Sequence, residues 1–214
     1  MQSKADLAKR SDLHLTRRVW HVSCGVVCLV VNANFDIQMY QWGIFSLIIA
    51  TLGFFVDFKR INNEQVNRYF SKYFGPLLRK SERKSFSGLP FYALGVGVTC
   101  FLYPEKAATL AILFLIFADP MASIFGVRFG KDRIFPNKTL QGTIAAFMTC
   151  FFVTLIYLWL LNLYSPNMIL FAFITAIFGA FSELLSAFNI DDNLTIPIVS
   201  GLFINLFDHL FQIF

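Results

Sequence analysis

The chain has 214 residues, 57% hydrophobic, 17% aromatic and only 14% charged, with 27 phenylalanines and a formal net charge of +5, and its mean hydropathy is +0.61. A soluble domain carries about 25% charged residues, so this composition excludes a soluble enzyme, a disordered tail and a disulfide scaffold, and implies a polytopic membrane protein. At about 20 residues per transmembrane helix, the length holds at most seven or eight spans and no soluble domain beside them.

Residues 1–18 are polar and basic, and no small-residue cleavage site follows the first apolar run, so no removable signal peptide is expected. Apolar runs then fall at about 19–35, 41–56, 88–104, 107–126, 142–163, 168–188 and 194–214. The predicted fold is therefore an all-α, polytopic integral membrane protein of about seven transmembrane helices. Residues 1–18 form a basic N-terminal segment, and 19–214 form a single membrane domain. In that arrangement 17 of the 18 basic residues lie on one side, in the N-terminal segment and in the loops around 59–84 and 128–138, with Lys106 alone opposite. Lys and Arg are retained on the cytoplasmic side, which places the N-terminus in the cytoplasm. Between spans two and three, Val66, Phe70, Tyr73 and Leu77 recur at helical spacing with Arg68, Lys72 and Arg79 on other faces. That pattern predicts an interfacial amphipathic helix, kinked at Gly75-Pro76. The four cysteines (Cys24, Cys28, Cys100, Cys150) sit inside apolar runs without metal-ligand spacing and read as packing thiols.

A charged group inside a transmembrane segment costs at least about 2.5–3.5 kcal/mol, which makes each one a functional candidate. Asp119 and Glu183 lie seven and five residues from the cytoplasmic ends of spans four and six, within roughly 8–11 Å of that boundary at the helical rise. His21, Ser87 and Gly88 fall at the same level. Asp208-His209 lies toward the other leaflet and reads as a structural pair. A small transporter using Asp119 and Glu183 as ion sites predicts polar residues continuing across the bilayer. Spans four and six show none in their outer halves, so a one-sided site facing the cytosol is favoured.

The chemistry concentrates in 119–145, DPMASIFGVRFGKDRIFPNKTLQGTIA. Small residues (Ala122, Ser123, Gly126, Gly130) permit close backbone approach, Arg128, Lys131, Arg133 and Lys138 supply positive charge, and Thr139 and Gly142 open a helix. A helix start with small residues and several cations suits a polyphosphate. Asp119 then has two available roles, as an oxygen ligand for Mg²⁺ or as the base for an attacking hydroxyl. Gly126 to Asp132 is one residue short of a P-loop and carries Asp where Ser or Thr is required. Gly126 and Gly130 also have helix-dimerisation spacing.

This stretch resembles the nucleotide-binding signature of the CTP-dependent lipid kinases, which include the diacylglycerol, dolichol and phytol kinases. Asp119, Ala122, Gly126, Gly130, Lys138, Thr139, Gly142 and Ala145 match it position by position. Arg17-Arg18 with His21 and Gly25 resembles the entry to the family's first span, and Glu183 with Asp191-Asp192-Asn193 and Pro197 resembles the acidic patch before its last. The likeness runs in order from about residue 17 to 205. Asn137, Gln141 and a short linker from Gly130 to Lys138 depart from the dolichol kinase version and fit a short diacylglycerol- or polyprenol-type member.

The resemblance implies transfer of the γ-phosphoryl of CTP to a membrane lipid alcohol. It implies CTP and Mg²⁺ as cofactors, and a lipid, the nucleotide and the membrane as partners, with no nucleic acid. Catalytic roles are expected for Asp119, Lys138, Arg17, Arg18, His21 and Glu183. Nucleotide contacts are expected from Ala122, Ser123, Gly126, Arg128, Gly130, Lys131, Thr139 and Gly142, and metal ligation from Asp119, Asp191 and Asp192. A phosphatidate cytidylyltransferase is the alternative CTP-using reading, but its C-terminal signature is missing from LFINLFDHLFQIF. The expected location is a bacterial inner membrane, or an endoplasmic reticulum-type membrane in a eukaryote.

Overall fold

The computed structural model describes residues 15–35, 37–188 and 190–214; most of the basic N-terminal segment expected over 1–18 lies outside them. Eight α-helices follow in order: α1 Leu15–Phe35, α2 Met39–Asn62, α3 Glu64–Phe74, α4 Gly88–Leu102, α5 Glu105–Phe129, α6 Leu140–Leu160, α7 Met168–Leu184 and α8 Asp192–Phe211. Each of the seven apolar runs falls on one helix, and the eighth, α3, is the expected amphipathic segment. Among the described residues, five helices (α2, α5, α6, α7 with its 3₁₀ extension, and α8) are long and apolar enough to cross a membrane. The helix α4 has 15 residues, about 22 Å at the helical rise and short of a hydrocarbon core of about 30 Å. The helix α1 also falls outside the five. The chain is thus an all-α membrane protein with five spans carried by length and apolarity alone.

The centre of the bundle is α5, packed against α6 and α8 and, less extensively, α1, α4 and α7. Leu110, Ala111, Phe114 and Leu115 of α5 are wholly buried, together with Cys150 of α6, Phe171 and Ala176 of α7 and Ile204 of α8. Outward faces carry large exposed apolar side chains such as Phe45, Leu52, Phe152, Trp159 and Ile169. An exposed surface of that kind is stable in lipid and not in water. The described thiols are unbridged, Cys100 and Cys150 being buried and Cys28 exposed.

Asn63 caps α3, its side chain accepting from the amides of Gln65 (2.9 Å) and Val66 (3.2 Å). Gly75-Pro76 ends this helix in a 3₁₀ turn, Gly75–Leu77, instead of kinking a longer one, because Pro76 brings no amide to the ladder. The helix buries no residue and leaves Tyr69 and Tyr73 exposed.

Two features are additions to the expected all-α pattern. The linker after α5 folds into a small antiparallel hairpin, β1 Arg133–Phe135 and β2 Lys138–Thr139, turning at Pro136-Asn137, residues suited to a tight turn. The segment after α3 is bolted down by Arg60, which is fully buried. Its guanidinium pairs with Asp57 (2.5 Å) and donates to the carbonyls of Glu82 (2.9 Å) and Ser85 (2.7 Å). Asp57 in turn accepts from the amide and hydroxyl of Ser87 (2.6 and 2.9 Å). At the far end of α8, Asp208 accepts from the amides of Ile213 and Phe214 (3.1 and 2.8 Å). Asp208 is thus tied to the backbone amides that follow α8 and not to His209, with which the sequence reading paired it.

Candidate functional site

The starts of α1, α4, α6 and α8 and the ends of α5 and α7 meet at one end of the bundle, because successive membrane helices alternate in direction. That end holds every sequence-predicted site residue. A cleft of about 310 Å³ opens there between α5, the hairpin, α6 and α7. Ala122, Ser123, Gly126, Lys138, Thr139, Gly142 and Glu183 all line it, as do Arg133 and Thr143.

The cleft exists because α5 and the start of α6 approach to backbone distance. A Cβ at Gly142 would stand 2.7 Å from the Ala122 carbonyl oxygen and 3.3 Å from the Gly126 Cα. Only glycine fits at Gly142, and its neighbour across this contact is Gly126 of α5. Thr139 caps α6, its hydroxyl accepting from the Gly142 amide (3.2 Å). The Leu140 amide is taken by the Asp132 carbonyl (2.9 Å), and the positive end of the helix dipole at this start favours a nearby anion.

Lys138 projects from β2 onto Glu183 of α7 as a buried ion pair. Burial by itself lowers the Lys138 pKa, but Glu183, Asp192 and Asp119 outweigh it and hold the ammonium above its ordinary value. The second carboxylate oxygen of Glu183, Oε2, is buried and has no hydrogen-bond partner. Lys138 uses one of its three donors on Glu183. The pair therefore holds an unpaired acceptor buried behind the cleft wall, and Lys138 keeps uncommitted donors.

Asp119, one turn before Ser123, makes no direct hydrogen bond or ion pair among the described residues. It stands in the electrostatic field of Asp192, His21, Lys138 and Arg79. Pro120 follows it inside α5 and removes the amide that would bond to the carbonyl of Ile116. Arg18 crosses from α1 to donate to the Ser123 hydroxyl and the Pro120 carbonyl (3.5 Å). His21 is buried, with Nε2 3.0 Å from the Leu115 carbonyl and its ring edge-on to Tyr92; bonding to that carbonyl requires the proton on Nε2.

Five expected residues stand differently. Arg17 is buried and donates through Nη1 to both oxygens of Glu82 (2.7 and 2.8 Å). Arg128 is exposed and stacked over Phe129, away from the residues that line the cleft. Lys131 is exposed, with its amide tied to Gln141 (3.0 Å); Gly130 packs against Thr139 behind the hairpin. Asp191 caps α8, its Oδ1 accepting from the amide and side chain of Asn193 (3.0 and 2.6 Å). Burial and the neighbouring Asp192 raise the Asp191 pKa to about 6.

Sequence reasoning missed Arg79 and Glu82. Arg79 reaches Asp192 (3.5 Å) from the segment after α3, and Asp192 foremost holds its pKa above the ordinary value. In the sequence Arg79 is one of eight basic residues between two apolar runs, and nothing local distinguishes it. Glu82 is one of three acids between the same two runs, with Asp57 and Glu64, and nothing local marks it as the partner of Arg17.

As to metal, no three His, Cys, Asp or Glu side chains converge among the described residues. Magnesium is often held by one or two carboxylates and completed by substrate phosphates and water. The uncommitted oxygens of Asp119 beside Asp192 fit that donor set.

A cytidylyltransferase family model matches residues 13–188. The CTP-dependent diacylglycerol kinase 1 of Schizosaccharomyces pombe is 30% identical, covering 94% of this chain and 97% of its own. Its Saccharomyces cerevisiae namesake is 30% identical over 89% of this chain and 72% of its own. A phytol kinase of Synechocystis is 27% identical over 92% and 82%. No solved structure matches. The cleft at the cytosol-predicted end, the signature residues around it and these relatives agree: the chain belongs to the cytidylyltransferase family and, within it, to the CTP-dependent lipid kinases.

Proposed function

We propose that the protein transfers the γ-phosphoryl group of CTP to the hydroxyl of a diacylglycerol- or polyprenol-type lipid, giving a lipid phosphate and CDP. The observation that carries this reading is the cleft itself. Its walls bring the signature residues Gly126, Lys138, Thr139 and Gly142 together with Glu183 and, one turn away, the uncommitted carboxylate of Asp119. A lipid hydroxyl resides near the headgroup plane and a nucleotide arrives from water. Both requirements meet at this end of the bundle, and the excess of Lys and Arg there favours a cytosolic orientation.

Phosphoryl transfer is mostly positioning and charge neutralisation. Lys138, oriented by Glu183, contacts phosphate oxygens. The positive end of the α6 dipole and the narrow Gly126–Gly142 floor admit the phosphate chain. Arg18 holds Ser123 and the break at Pro120, fixing the height of Asp119. Mg²⁺, held by Asp119 and Asp192, would neutralise charge on the phosphates. His21, locked on Leu115, keeps α1 against α5 and so closes the site.

The test uses purified protein in detergent with CTP labelled at either the α- or the γ-phosphate, Mg²⁺, and diacylglycerol, polyprenol and phytol in parallel. Label from the γ-position alone, on one lipid, is the expected result, and Asp119→Asn abolishes it. Transfer of α-label into lipid would instead establish cytidylyl transfer. No transfer by folded wild-type protein would defeat the kinase reading.

A further inference from the structure

Three arginines, Arg17, Arg60 and Arg79, contact Glu82 at the catalytic end, and the structure distinguishes them by what their donors already do. Arg60 is fully buried and spends its guanidinium on Asp57 and on the carbonyls of Glu82 and Ser85; it is structural. Arg17 is buried and engaged through Nη1 by both Glu82 oxygens. Arg79 is different. Its side chain is 40% exposed, and its contacts are long, 3.5 Å to Asp192 and 3.9 Å to Glu82. Asp192, Asp119, Glu82 and Asp191 all act on it electrostatically. A guanidinium has five donors in a fixed fork suited to phosphate. Arg79 is thus held among carboxylates by their field, with its fork reaching the solvent side of the site.

Glu82 governs this arrangement. It is 4% exposed, and its carboxylate gathers Arg17, the Arg79 amide (2.9 Å) and the Gly88 amide (3.2 Å). One side chain therefore ties α1, the segment after α3 and the start of α4 into a single unit. The Gly88 Cα faces this cluster, and a Cβ there would stand 2.9 Å from the side-chain nitrogen of Asn193 on α8, so the unit abuts the helix that carries Asp192.

We propose that the segment between α3 and α4 is a further wall of the active site, in which Arg79 is a phosphate-binding residue of the nucleotide and Glu82 is the positioning residue that presents it. On nucleotide entry the Arg79 fork exchanges its long contact with Asp192 for phosphate oxygens, which would leave the Asp192 carboxylate available to hold Mg²⁺. The inference rests on the kinase reading above and adds to it a residue from a loop remote in sequence from the signature.

The experiment compares wild type with Arg79→Ala, Arg79→Lys, Glu82→Gln and Glu82→Ala. It measures KM for CTP, KM for the lipid, kcat, and the rise in melting temperature caused by Mg²⁺-CTP without lipid. Loss of a charged hydrogen bond to a ligand weakens binding by about 10- to 100-fold. Arg79→Ala should raise KM for CTP by that factor, leave the lipid KM within about twofold, and lose the nucleotide-induced stabilisation; Arg79→Lys should recover part of both. Glu82→Gln keeps the shape but weakens its hold on Arg17 and Arg79, and should raise KM for CTP while melting near wild type. Wild-type nucleotide stabilisation and KM in Arg79→Ala would overturn the role of Arg79. A lower melting temperature in both Glu82 variants with unchanged KM for CTP would reduce Glu82 to a structural pin and overturn its positioning role. If wild type itself transfers no phosphoryl group from CTP, the kinase reading fails; if it does while Arg79→Ala behaves as wild type, only this inference fails.

Discussion

Replacing Lys138 by Met tests the buried ion pair directly. Lys138 and Glu183 have side chains 14% and 6% exposed, and Oε2 of Glu183 already lacks a partner. Without the ammonium, the carboxylate must remain charged in an apolar wall or take up a proton. Protonation at pH 7 costs about 3.7 kcal/mol for an ordinary glutamic acid, from 2.7 pH units at 1.36 kcal/mol each. A loss of about 3.7 kcal/mol falls within the roughly 3–5 kcal/mol typical when one member of a buried pair is removed. For a chain of this size it corresponds to about 7–15 °C in Tm. The loss should shrink by about 1.4 kcal/mol for each pH unit below 7. Cys100 and Cys150 are buried, so a thiol-reactive fluorophore reports unfolding, with Cys24→Ser and Cys28→Ser removing the background. The double variant Lys138→Met/Glu183→Gln should regain most of the stability and none of the phosphoryl transfer. A single Lys138→Met variant melting within about 2 °C of wild type, at pH 7 and at pH 5 alike, would refute the reasoning.

Gly142→Ala places a methyl 2.7 Å from the Ala122 carbonyl, and overpacking of this kind costs about 1–3 kcal/mol; nucleotide-induced stabilisation should vanish, because the same shift narrows the cleft. Arg60→Met removes the guanidinium from buried Asp57 and from the carbonyls of Glu82 and Ser85 and should cost about 3–5 kcal/mol, seen as a large fall in Tm and as proteolytic cleavage within 79–87. The Asp191 pKa in the folded protein, about 6, lies above its ordinary value near 3.8, so the folded state favours the protonated form. Its contribution to stability is complete below about pH 4 and is lost as pH rises through 6. In metal-free buffer, Asp191→Asn, which still caps the helix, should therefore gain Tm relative to wild type between pH 4 and 6 and hold a constant advantage above; parallel Tm curves across that window would contradict this.

The positions of the helices were legible from the sequence because apolar runs of membrane length have one stable use: each of the seven runs became a helix, and Val66, Phe70 and Tyr73 marked the amphipathic one. The signature was equally legible, since Gly126, Lys138, Thr139 and Gly142 are close along the chain and their spacing survives folding into one cleft. Polar groups in apolar runs also announced themselves through their insertion cost, as Asp119 and Glu183 did. Length and apolarity carried five spans and not seven, because α4 is only 15 residues and finds its place by packing against α2 and α8.

Tertiary structure alone decided how the charges pair. Lys138 and Glu183 are 45 residues apart, Arg17 and Glu82 are 65 apart, and Arg79 and Asp192 are 113 apart. No local pattern couples such residues, since each pair is made only when helices alternating in direction bring their ends to one side. That assembly left Arg128 on the surface, committed Asp191 to a helix cap, and brought Arg79 from an ordinary basic loop into the field of Asp119 and Asp192. The sequence determined which residues the membrane would tolerate only for a reason; the packing of α1, α4, α5 and α8 determined which of them face one another, because a charge deprived of water is stabilised by its spatial neighbours and not by those along the chain.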